Sequence, residues 1–137
     1  MVSGMRTINN FIDHTIKWLL IIFGILTCGT LPIALNVDSM TPLFGGMVDY
    51  TASSVPALRN WAVVIFCIGV LMIAAAFRPW LRFETLLLCG AEKGFIAYLF
   101  LTNLGSPWIM GYFPAFIVDG IFFAYCIVFF ISERGRP

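Results

Sequence analysis

The chain has 137 residues, of which 61% are hydrophobic and only 11% charged, with a mean hydropathy of +0.96. Soluble domains carry about 25% charged and about 45–50% apolar residues, so a water-soluble globule built from this chain would lack polar surface, and a membrane protein is expected instead. Eight basic against seven acidic residues leave a net charge of +1, so no basic tail or face argues for nucleic-acid binding, and the expected spans leave no room within these residues for an extramembrane catalytic domain.

The stretch Met1 to Lys17 is polar past its first dozen positions, and the apolar run after it lacks an A-x-A-like site, which argues against a cleaved signal peptide. Twenty uncharged residues follow, Trp18 to Val37. At 1.5 Å per residue they make about 30 Å of helix, the thickness of the hydrocarbon core. The first span is therefore placed at about 15–37. A connection at about 38–54 contains Thr41-Pro42-Leu43-Phe44-Gly45-Gly46-Met47, whose proline, paired glycines and apolar residues suit an interfacial or re-entrant segment. The second span, about 55–77, opens on Ser53-Ser54-Val55-Pro56, where serine can cap and proline can occupy the first turn. Arg78-Pro79-Trp80 closes it. The third span, about 81–103, ends in the turn signals Asn103-Leu104-Gly105-Ser106-Pro107. A fourth, about 112–132, precedes the charged Glu133-Arg134-Gly135-Arg136. The expected fold is an all-α, polytopic bundle of four transmembrane helices forming one domain.

Short loops rich in Lys and Arg stay in the cytoplasm. Four spans gather Arg6, Lys17, Arg78, Arg82, Arg134 and Arg136 on one side and leave Arg59, with Asp38 and Asp49, on the other. Both termini are accordingly expected inside, in a multi-pass membrane protein. Trp18, Trp61, Trp80 and Trp108 sit near the span ends, as an aromatic belt requires.

A charge in mid-span costs about 2.5–3.5 kcal/mol on insertion scales and needs a partner or water. Glu92 and Lys93 lie near the middle of the third span and Asp119 two turns into the fourth. Measured from the exterior ends they are about 15 Å and about 10 Å deep, within reach of a lysine stem. A Lys93–Asp119 pair is expected, with Glu92 left as the unpaired acid, because adjacent helical residues point about 100° apart. Thr85, Glu92 and Asn103 fall on one face of the same helix. These five residues, Glu92, Lys93, Asp119, Thr85 and Asn103, are the candidates for ligand or proton contact, whereas a structural ion-pair network is the plainer reading of the charges.

Small residues mark helix-packing seams. Gly90, Gly94 and Ala97 form one stripe, Gly24 clusters with Thr27 and Cys28, and Gly69 lies between Ala62 and Ala76 at heptad spacing. In the fourth span Tyr112, Ala115, Asp119 and Cys126 share a face. Cys28, Cys67, Cys89 and Cys126 each occupy a different apolar segment without a CxxC, so packing explains them better than disulfides or a metal. With His14 as the single histidine, a bis-histidine haem within one chain is excluded. No catalytic residue, metal or cofactor is assigned.

Ile68-Gly69-Val70-Leu71, Arg78-Pro79-Trp80-Leu81-Arg82 and Ala91-Glu92-Lys93-Gly94, with a longer loop after the first span, resemble the DoxX-like group of small bacterial four-helix membrane proteins. The resemblance covers the middle third of the chain. It implies the four-helix fold and, for some relatives, association with redox or stress-response membrane complexes. The leading expectation is an accessory subunit without catalysis, embedded in the lipid bilayer, that self-associates or packs on other membrane helices through its glycine seams. A small transporter or ion pathway through Glu92, Lys93 and Asp119 is the second. A quinone or lipid held between helices, near Trp61, Trp108 and Tyr112, is the third.

Overall fold

The computed structural model describes residues 2–39 and 50–134, with backbone alone for 2–8 and 107–108. The interfacial segment expected at Thr41–Met47 and the side chain of Trp108 lie outside the described residues. Among the described residues five α-helices follow in order: α1 (Val2–Cys28), α2 (Leu31–Leu35), α3 (Val55–Phe77), α4 (Arg82–Thr102) and α5 (Phe113–Arg134). Short 3-10 turns at Val37–Ser39, Pro79–Leu81 and Pro107–Tyr112 connect them. Four stretches, Asn9–Leu35, Val55–Phe77, Pro79–Thr102 and Ile109–Arg134, are long and apolar enough to cross a membrane.

The first helix begins earlier than the expected span. Ile12, Ile16 and Leu20 recur every four residues, are buried to 2% exposure or less, and join the core that holds Phe122, Tyr125 and Phe129. Polar contacts hold the same turns to α5. Ser132 Oγ donates to Asn9 Oδ1 at 2.6 Å, and Thr15 Oγ1 lies 3.1 Å from Tyr125 Oη while donating to Phe11 O at 2.7 Å, so the tyrosine is the donor between them. Packing thus extends the helix through a segment whose polarity reads as a flank.

The first span is also broken. Proline has no N–H and its ring clashes with the carbonyl four residues back; for Pro32 that carbonyl belongs to Cys28, where α1 stops. Thr30 repairs the gap by donating Oγ1 to Thr27 O at 3.0 Å and lying 3.1 Å from Ala62 O on α3. Arg59 Nε donates to Ala34 O at 2.7 Å, satisfying a carbonyl at the end of α2. At the opposite end of α3, Arg82 donates Nε to Ala75 O at 3.3 Å and Nη2 to Ala76 O at 3.2 Å, placing a cation at a helix C-terminus where the dipole favours it.

The helices form two close pairs, α1 on α3 and α4 on α5, and looser contacts of α3 with α4 and of α1 with α5 close the ring. Glycine makes the first pair close. A Cβ on Gly69 would lie 2.8 Å from both Gly24 O and Cys28 N, and one on Gly24 would lie 3.0 Å from Gly69 O. In the second pair the space above Gly90 is taken by Cys126 and that above Gly94 by Phe123, both on α5. The perimeter is apolar, with Ile22, Val64, Leu87, Ile121 and Ile131 among its exposed side chains.

Candidate functional site

The looser seam between the two helix pairs opens into a cavity of about 280 Å³, room for about nine waters at roughly 30 Å³ each. It lies toward the end of the bundle that carries the 38–54 connection, here called the loop face. The break in α1 shapes one wall, because Thr27, Gly29 and Thr30 border the cavity where the helix stops. Phe23 and Trp61 supply aromatic faces, and Tyr112 at the end of the last 3-10 turn, with Pro114 and Ala115 at the start of α5, completes the lining. Below it lie the buried apolar side chains of Ile16, Leu20, Ile68, Met72 and Leu86, none of which lines the cavity.

Its charged wall is Glu92, Lys93 and Asp119. Lys93 is nine residues before the end of α4 and Asp119 six after the start of α5, which places them about 14 Å and about 9 Å below the helix ends at 1.5 Å per residue. Lys93 Nζ reaches both acids, 3.0 Å from Glu92 Oε2 and 3.0 Å from Asp119 Oδ1. The Lys93–Asp119 pair therefore forms as the spacing predicts. Glu92 is a correction, since it is ion-paired to the same ammonium. The wheel angle separates the two side chains at the backbone, but the four-carbon lysine stem carries Nζ back across the gap. Glu92 Oε2 is enclosed and has the Lys93 ammonium, 3.0 Å away, as its charge partner.

Accessibility within the triad is uneven. The lysine side chain is 7% exposed, against 21% for Glu92 and 15% for Asp119, although Glu92 Oε2 itself is enclosed. With all three ionised the triad carries one excess negative charge, in a pocket otherwise walled mainly by apolar and aromatic side chains. Charge in such surroundings is costly unless balanced, and the site is balanced by one more positive charge, as a proton or as a cation.

Two further sequence candidates are placed elsewhere. Thr85 is buried two turns below Glu92, its Oγ1 without a hydrogen-bond partner. Asn103 closes the end of α4, donating Nδ2 to Leu99 O at 2.8 Å. Neither lines the cavity. Gly24, Gly69, Gly90 and Gly94 all serve packing within the chain, and Ala97 follows on α4. The two residues that the charge argument passes over are Thr27 and Thr30, whose signal in the sequence is Pro32, four residues after Cys28. His14 is exposed, its Nδ1 2.8 Å from Asn10 O. Among the described residues no three His, Cys, Asp or Glu side chains converge as metal ligands. On the loop face Tyr50 donates its hydroxyl to Asp38, which holds the phenol above its ordinary pKa. No protein-family model, curated protein or solved structure matches this chain.

Proposed function

We propose that this chain is a multi-pass membrane carrier that takes a small solute into the loop-face cavity against Glu92, Lys93 and Asp119. The observation that carries the reading is the cavity itself, a chamber walled by a partly buried ion triad with one uncompensated charge. A continuous pore would need polar lining on both sides of the triad, whereas the core beneath it is mostly apolar, with Thr85 a buried exception. A carrier instead loads one positive charge, becomes neutral at the triad, and rearranges around it. The loop face is exterior in this reading, because the basic residues Lys17, Arg78, Arg82 and Arg134 lie at the other end. The DoxX-like resemblance adds the bacterial inner membrane as its location.

Proteoliposomes on a solid-supported membrane, given pH steps from pH 8 to pH 5, test this without knowledge of the substrate. Charge entering the triad crosses part of the membrane field and gives a transient current. The current is expected in the parent and reduced in Glu92→Gln and Asp119→Asn variants that keep the parent's helicity and elution volume. Equal currents in parent, variants and protein-free liposomes overturn the reading.

The accessory or oligomeric reading has its own support on α5. A Cβ on Gly120 would meet nothing within 4 Å, and Ala124 one turn later is exposed, so a small-residue patch faces outward. Replacing Gly120 and Ala124 by Leu should shift crosslinked dimers to monomers; an unchanged crosslinking pattern removes this support.

A further inference from the structure

We propose that the cavity selects a compact organic monocation, an apolar or aromatic body bearing one ammonium group. The assignment rests on the carrier reading above and names its substrate class. Three features of the cavity point the same way. The excess charge of the triad is negative, and the side chains of the two acids are less buried than that of the lysine. The remaining walls include Phe23, Trp61 and Tyr112, and aromatic faces attract cations within about 6 Å of the ring centroid. The volume of about 280 Å³ lies at the lower edge of the roughly 300–1,000 Å³ typical of ligand pockets, which limits the body to about one ring.

The same features disfavour a quinone. Its carbonyl oxygens are acceptors and would face carboxylates across the cavity, while the strongest donor, Lys93 Nζ, is already 3.0 Å from each of two acids. An inorganic cation would meet the triad equally well, yet it makes no use of an apolar chamber bordered by Trp61 and Ile65.

Benzyltrimethylammonium and its neutral carbon isostere, neopentylbenzene, have the same shape and differ by the charge alone. Binding is read by fluorescence of Trp61 in nanodiscs, with Trp18, Trp80 and Trp108 replaced by Phe. The cation is expected to bind at least about tenfold more tightly than the isostere, and Asp119→Asn to erase about tenfold of that preference while leaving the isostere unchanged, a difference of about 1.4 kcal/mol. Glu92→Gln removes the same charge and carries the test if Asp119→Asn fails to fold. Equal binding of the two probes overturns the cation assignment and leaves the cavity reading standing. No response of Trp61 to either probe overturns both.

Discussion

Replacing Lys93 by Met removes the one cation of the triad and keeps the length of the side chain. Each carboxylate is 3.0 Å from Nζ. At an effective dielectric of about 20 a contact of that length is worth about 5.5 kcal/mol of attraction, so two give about 11 kcal/mol before desolvation and the repulsion between the acids are counted. Desolvation of three partly buried ions, several kcal/mol each, offsets most of this, and breaking a buried pair by deleting one partner costs about 3–5 kcal/mol in net terms. Exposures of 21% and 15% at the acids let cavity water relieve some repulsion, which puts the expected loss near the lower limit, about 3 kcal/mol. The triple variant Lys93→Met, Glu92→Gln, Asp119→Asn leaves no ion uncompensated and should recover stability to within about 1 kcal/mol of the parent. Reversible unfolding in mixed micelles of dodecyl maltoside and increasing SDS, followed by circular dichroism, measures both. A Lys93→Met variant within about 0.5 kcal/mol of the parent, a range ordinary for surface substitutions, would refute the claim that the ammonium compensates the two acids. The recovered triple variant should still lack charge movement, which separates the role of the charges in folding from their role in loading.

The glycines give a contrasting pair. Gly69→Ala drives a Cβ to 2.8 Å from two backbone atoms of α1, an overpacking that costs about 1–3 kcal/mol, whereas Gly120→Ala meets open space and gains up to about 1 kcal/mol of helix propensity; the same micelle unfolding should move the two in opposite directions. For Tyr50 the sign follows from its raised pKa. The hydrogen bond to Asp38 is fully present below the unfolded phenol value near 10 and is lost as pH rises through the higher folded value, so in an ultraviolet titration Asp38→Asn should move one late-ionising phenol back toward the ordinary value.

Much of this architecture is legible in the residues, and the exceptions share a cause. Charge and hydropathy locate the four long helices because each span has to be apolar over its length. The Lys93–Asp119 pair follows from depth alone, since two buried opposite charges on consecutive helices seek each other. A helical wheel discards both the axis and the reach of a side chain. Discarding reach hides the contact of Glu92 with its own neighbour. Discarding the axis groups Thr85 and Asn103 with Glu92, although they are seven residues below and eleven above it, about 10 Å and about 16 Å along the helix. The wheel also shows that Gly90 and Gly94 accept a close neighbour without saying which, and the neighbour is α5 of the same chain. The cavity is invisible to composition because it exists only where Pro32 stops α1 at Cys28 and the two helix pairs part.

The central claim is that the triad borders a chamber that water and solutes reach from the loop face. In a background with Cys28, Cys67, Cys89 and Cys126 replaced by Ala, Ala115→Cys places a thiol at the cavity wall and Ile121→Cys places one on the apolar perimeter, where the side chain is 59% exposed. A membrane-impermeant maleimide needs a hydrated thiolate. Added from the loop face to oriented vesicles, it should label Ala115→Cys and spare Ile121→Cys, with benzyltrimethylammonium slowing the labelling. Failure to label Ala115→Cys, with the variant folded and labelled once unfolded in SDS, would contradict the account.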